Sequence, residues 1–197
     1  MILISTNEVS VTRSLTNVVA IEYALSQCVI ILYPRINMSI NKPAYISVDN
    51  IILPNKSLTN FDLEDAADKL NIPLKGVFCR NMLPRISENK ECGILNLDDS
   101  SGNGTHWTAW YKSSSEHASG NTASRAGDTK FYFDSYGLQP PIELKNYLTS
   151  PIYYNSERVQ PNNTVLCGHL CLYVLNQLNQ IKNPSIEDYQ NIINTLY

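Results

Sequence analysis

The chain has 197 residues, enough to bury one core without disulfide or metal staples. Hydrophobic residues make up 43% and charged residues 17%, an ordinary globular balance, and a net charge of −3 at pH 7 argues against a strongly basic nucleic-acid binder. The cysteines Cys28, Cys79, Cys92, Cys167 and Cys171 are odd in number and scattered, with no secretory signal before them, so reduced thiols in an intracellular setting are expected.

Residues 1–40 form an N-terminal segment without an assigned role, expected to pack on the same domain as 41–197. Within it "VVAIEYALSQCVIILYP" (18–34) is apolar but carries Glu22, Ser26 and Gln27. It falls short of the roughly 20 uninterrupted apolar residues of a spanning helix, so a buried helix followed by a strand ending at Pro34 is predicted, and no membrane role. "AYISVDNIIL" (44–53) reads as a strand. "LTNFDLEDAADKLNI" (58–72) places Leu63, Ala66, Ala67 and Leu70 at helical spacing, with Asn60 as cap and Pro73 as stop. "CGILNL" (92–97), "THWTAWY" (105–111) and "KFYFDSY" (130–136) read as strands. The turn signal "DDSSGNG" separates the first two, and the Ser/Gly-rich excursion "KSSSEHASGNTASRAGDT" (112–129) reads as a mobile loop. Pro141 opens a helix carrying Ile142, Leu144, Tyr147 and Leu148, and "PIYYN" (151–155) suits a short edge strand. Leu170, Cys171, Val174, Leu175 and Leu178 form one stripe of a helix that starts at 166 or 167. Ser185 and Asp188 form a capping box for a last helix over 184–196. Strands and helices mix without strict alternation, so the fold class is α+β.

The junction "NNTVLCGHLC" sets Cys167 at the start of that helix. Unpaired amides and the positive end of the dipole there favour thiolate over thiol. A cysteine on an apolar helix is more often a core residue, and Cys171, one turn further in, fits that use. Gly168 costs roughly 1 kcal/mol of helix stability relative to alanine, which predicts a close approach to the backbone there. A thiol nucleophile needs a base. His117 lies in the excursion, and His169 is two positions from Cys167 on the same helix, pointing elsewhere. His106 remains, on a strand whose alternation sets His106, Thr108 and Trp110 against Trp107, Ala109 and Tyr111. A carboxylate is then wanted to fix the imidazole. Asp134 in "FYFDSYG" qualifies, although it serves equally as a turn aspartate capping its own corner. For the oxyanion, Gln160 stands seven residues before Cys167 and offers an amide beside the Cys167 N–H.

Together, "GTHW" at 104, "FDSYG" at 133 and a glutamine seven residues before "CG" resemble adenain, the adenovirus maturation protease, and the wider superfamily that includes the SUMO-specific proteases. That superfamily orders its site His, Asp/Glu, Gln, Cys, which matches His106, Asp134, Gln160 and Cys167. The flanking "LTNFDLEDAADKLNIPLKGVFCRNMLPR" and "CGILNL" are similar to adenain-like proteases of viruses and virus-like transposons. The resemblance implies a papain-related fold with permuted site order, a mixed sheet packed against the thiol helix and further helices. It implies a cysteine endopeptidase that cleaves viral capsid or core precursors after small residues such as glycine, in a host cell or virion. Trp107 would flank the substrate channel, with Gly104 and Gly168 beside it. Asp134 occupies the position of adenain's glutamate, the excursion lengthens the gap from His106 to Asp134, and residues 1–40 have no counterpart. Adenain is activated by DNA and by a disulfide-linked peptide; the acidic balance here does not support DNA, and no cysteine is nominated for a peptide.

Within the same chemistry the alternative is an isopeptidase that removes a ubiquitin-like modifier. A different class, a zinc-stabilised interaction module using Cys167, His169 and Cys171, lacks the paired arms of structural zinc sites. A catalytically dead scaffold is the third reading. No metal and no cofactor are expected.

Overall fold

In the computed structural model, residues 45–113, 128–149 and 151–197 are described, all within the compact unit Tyr33–Tyr197. The readings made for residues 1–40, for the centre of the excursion and for His117 lie outside the described residues.

The expected strand at 44–53 is instead two strands, β1 (Tyr45–Val48) and β2 (Ile51–Pro54), paired antiparallel. Asp49 at φ 51° makes the tight turn between them, a conformation that aspartate tolerates better than most residues. Helix α1 (Asn60–Lys69) follows, and its cap is Thr59 rather than Asn60. The Thr59 hydroxyl accepts from the Asp62 N–H, while the Asp62 carboxylate accepts from the Thr59 N–H at 2.9 Å. Two groups that the helix start leaves unpaired are thereby satisfied reciprocally. Leu63, Ala66 and Ala67 are buried, as their spacing predicts.

A five-stranded mixed sheet forms the centre, in the order β3 (Leu74–Cys79), β4 (Glu91–Asn96), β5 (Trp107–Ser113), β6 (Thr129–Phe133), β7 (Tyr153–Tyr154). The outer pairs β3/β4 and β6/β7 are parallel, and the two inner pairings are antiparallel. Strand β3 was not legible in the sequence: every one of its six residues is half-buried, so it lacks the in/out alternation that marks a strand. Strands β5 and β6 run further into the excursion than their aromatic cores suggest, pairing Ser113 with Thr129.

The alternation predicted along β5 places Ala109 and Tyr111 in one core and Trp110 in another. On the first face the sheet meets α3 (Cys167–Gln180), through Leu170, Cys171, Val174, Leu175 and Leu178, with Phe131 and Phe133 of β6 alongside. Helices α1 and α4 (Ile186–Asn194) pack around α3, which is therefore buried on almost every side. A helix enclosed in this way presents apolar residues around its circumference rather than as a stripe. On the opposite face Leu95, Trp110 and Tyr132 pack against Leu144 and Leu148 of α2 (Ile142–Leu148). Helix α4 starts at the predicted capping box of Ser185 and Asp188. The class is thus α+β, a mixed sheet with helices on both faces. Among the described residues, no helix is long and apolar enough to cross a membrane.

Candidate functional site

Three chain segments end at the N-terminus of α3. Cys167 is the first residue of that helix and follows Leu166 at the cap position, where no side chain caps the free amides. His106 lies immediately before β5, whose ladder it extends by accepting a 2.9 Å hydrogen bond from the Leu97 N–H. Asp134 lies immediately after β6 and is fully buried. The predicted strand positions of both residues are therefore strand ends, where side chains are held by the sheet yet stand clear of it.

His106 Nε2 lies 2.9 Å from Asp134 Oδ1. Cys167 acts on the same imidazole, each group shifting the other's pKa, and Nδ1 is the ring nitrogen that Asp134 leaves open to it. The structure thus gathers His106, Asp134 and Cys167 around one imidazole. Burial by itself pushes the imidazole pKa down. Hydrogen bonds to Asp134 and Cys167, and the negative charge on both, outweigh that and raise it to about 9. Burial likewise pushes the Cys167 thiol up. It is outweighed by the His106 hydrogen bond, the N–H groups of Trp107 and Gly168 and the imidazolium charge, and the thiol is held below its ordinary value. Each shift favours the charged form of its own group, so the two together favour thiolate beside imidazolium over the neutral pair.

Asp134 reconciles the two uses read from the sequence. Its Oδ1 accepts the Tyr136 N–H at 2.7 Å as well as the imidazole, so one oxygen caps the "DSYG" corner and holds the histidine. The Tyr132 hydroxyl reaches Oδ2 at 3.4 Å. Asn155, not singled out from the sequence, anchors the acid's backbone: its Oδ1 accepts the Asp134 N–H at 3.1 Å, and its Nδ2 donates to the Asp134 carbonyl at 2.7 Å. Ser135, the next residue, donates its hydroxyl to Gln160 Oε1 at 2.7 Å. Gln160 Nε2 gives one proton to the Thr164 carbonyl at 2.8 Å, and the amide carries a second. Gln160 is thus buried and fixed rather than free to swing. Asn155 and Ser135 gave no periodic or spacing signal, because their partners come from other segments.

The remaining expected site residues have more structural duties. The Trp107 indole donates to the Leu58 carbonyl at 2.8 Å, pinning the ring toward α1, while its backbone N–H faces the Cys167 sulfur. Gly104 sits at φ 81° in the turn entering His106, and a Cβ there would come within 3.1 Å of Asn96 Nδ2. Buried Asn96 accepts the Thr105 and Asp98 N–H groups and so shapes that turn. The close approach expected at Gly168 is present and is made by the protein's own core: a Cβ at 168 would lie 3.1 Å from Leu63 Cδ2 and 3.4 Å from Leu58. What Gly168 offers the site is its N–H on the sulfur.

The set weighed for zinc is dispersed in use. His169 Nε2 bonds the Pro54 carbonyl at 2.9 Å, and Cys171 is fully buried, which pushes its thiol up. Among the described residues, no group of three or more His, Cys, Asp or Glu is placed to hold a metal ion.

Neither a scan against protein-family models nor a search of the curated proteins matches this chain.

Proposed function

We propose that the chain is a cysteine endopeptidase with an adenain/SUMO-protease-like fold. The single observation that supports this reading is the chain Asp134–His106–Cys167, with the sulfur at the start of α3 and its thiol held below the ordinary value. A structural cysteine in a core has its thiol pushed up by burial, as at Cys92, raised to about 12.

The proposed mechanism assigns these groups as follows. The Cys167 thiolate attacks the scissile carbonyl carbon, and the carbonyl electrons move to oxygen. That oxyanion is met by the Cys167 N–H, which has no partner within its helix, and by the second Nε2 proton of Gln160. Collapse of the intermediate forms a thioester and expels the amine, which takes its proton from the His106 imidazolium. His106 then removes a proton from water as it attacks the thioester carbonyl, and collapse releases the carboxylic acid product and the Cys167 thiolate, which restores the thiolate–imidazolium pair. Asp134 holds the imidazole in register throughout. The substrates are polypeptides cut after small residues such as glycine, viral structural precursors in the first place, inside a host cell or virion.

A peptide ending in glycine and carrying a thiol-reactive electrophile tests this directly. The expected result is an adduct on Cys167, lost in His106→Ala. Equal labelling of Cys28, Cys79 or Cys92, or labelling indifferent to His106, would overturn it. Cleavage of ubiquitin-like conjugates in place of a capsid precursor would reassign the substrate to a modifier.

A further inference from the structure

One feature around His106 belongs neither to the core nor to its pairing with Asp134 and Cys167. The Tyr136 ring is stacked on the imidazole, with centroids 4.4 Å apart and planes within 9°. The Arg158 guanidinium lies over the same ring, 4.6 Å from its centroid. We propose that Tyr136 is a positioning residue: its ring, held by Arg158, keeps the imidazole in the one plane that serves Asp134 and Cys167 together. The proposal rests on the reading of Cys167 and His106 as nucleophile and base.

The physical need is plain. Two hydrogen bonds at the ring nitrogens fix where the imidazole edge points but resist tilting of its plane only weakly, because the angular well of a hydrogen bond is broad. A parallel aromatic face closes that freedom, since tilting separates the two rings. Three restraints deny Tyr136 other positions. Its N–H is bound to Asp134 Oδ1 at 2.7 Å, the same oxygen that takes His106 Nε2. The next residue, Gly137, sits at φ 74° against the backbone of Ser156 and Glu157, where a Cβ would meet carbonyl carbons at 2.7–2.8 Å. Arg158 is itself tied, its Nε donating to the Gln160 carbonyl at 2.8 Å. The column Arg158–Tyr136–His106 therefore couples the plane of the imidazole to the strand of chain that carries Gln160. Fold stability does not account for the ring: Tyr136 is 37% exposed and belongs to neither hydrophobic cluster. An aromatic face beside an imidazole that carries charge adds a cation–π attraction as well.

The test compares Tyr136→Leu with Tyr136→Phe in the full chain. Alkylation of Cys167 by iodoacetamide, hydrolysis of a glycine-containing peptide and the NMR shifts of the His106 ring protons are measured for each. An aromatic pair of this geometry predicts that the leucine variant loses about three- to tenfold in alkylation rate and in kcat with little change in KM, and that phenylalanine restores most of both. The His106 ring protons are displaced upfield in wild type and in the phenylalanine variant, and not in the leucine variant. Tyr136→Gln replaces leucine if that variant does not fold. Wild-type alkylation that depends on His106, with leucine and wild type equal in rate, would overturn the role of Tyr136 alone. Wild-type alkylation indifferent to His106→Ala would overturn the protease reading beneath it.

Discussion

Asp134→Asn isolates the charge of the buried acid from its shape. The isostere fits the observed contacts: its Oδ1 still accepts from His106 Nε2 and from the Tyr136 N–H, and its Nδ2 can donate to the Tyr132 hydroxyl, which turns to accept. What disappears is the negative charge facing the imidazolium at 2.9 Å. A hydrogen bond with a charged partner is worth about 1.5–3 kcal/mol net against about 1 for a neutral one, so the ion pair loses roughly 0.5–2 kcal/mol. That corresponds to about a 2- to 30-fold fall in the ratio of thiolate–imidazolium to neutral pair. With the opposing charge gone, burial is left to push the imidazole down and the thiol up. The assay is the pH dependence of Cys167 alkylation by a small neutral reagent. In wild type the rate rises through a thiol pKa below the ordinary range; in the asparagine variant that rise moves toward higher pH and the rate at pH 7 falls, by at most the stated factor. An unchanged profile in a folded variant would show that Asp134 does not support His106 electrostatically, and the account of the lowered thiol would have to be abandoned.

Three further outcomes are expected. Peptide hydrolysis by wild type falls as pH rises through about 9, because leaving-group protonation needs the imidazolium, whereas alkylation of the thiolate does not fall there; a parallel decline of both would refute the assignment of the alkaline limb to His106. Gln160→Ala lowers kcat by about 100-fold, the cost of one oxyanion donor, while alkylation falls far less, and burst kinetics with a peptide ester separate the two. Gly93→Ala drives a Cβ to within 2.2 Å of the buried Trp110 ring and destabilises the fold by about 2–3 kcal/mol, read from urea unfolding; a loss under 0.5 kcal/mol would mean that β4 and Trp110 are not packed as described.

Local rules carried much of the chain. The capping box of α4 involves residues three apart, and the start of α3 at Cys167 follows from a polar turn meeting an apolar run. The two faces of β5 follow from alternation alone, since successive side chains of a strand point opposite ways. Local rules failed where competing local choices were nearly equal in energy. Thr59 and Asn60 are both good caps, and the reciprocal bond to Asp62 decided for the former. Strand β3, half-buried at every position, had no periodic pattern to read, and its pairing with β4 made it a strand.

The site divides along the same line. The types and order of His106, Asp134, Gln160 and Cys167 were visible, because each stands at a recognisable junction of strand, turn or helix. Their meeting was not, nor was the mesh that holds them: Asn155 on Asp134, Ser135 on Gln160, Tyr136 on His106. Gly168 shows the limit most clearly, since the sequence asks for a close neighbour and only packing reveals it as Leu63. Dihedral preference, capping and periodicity act over a few residues, and so are written in adjacent letters. Which distant side chains share a hydrogen bond depends on how α3 and β5 pack, and that is decided by the burial of the whole core at once.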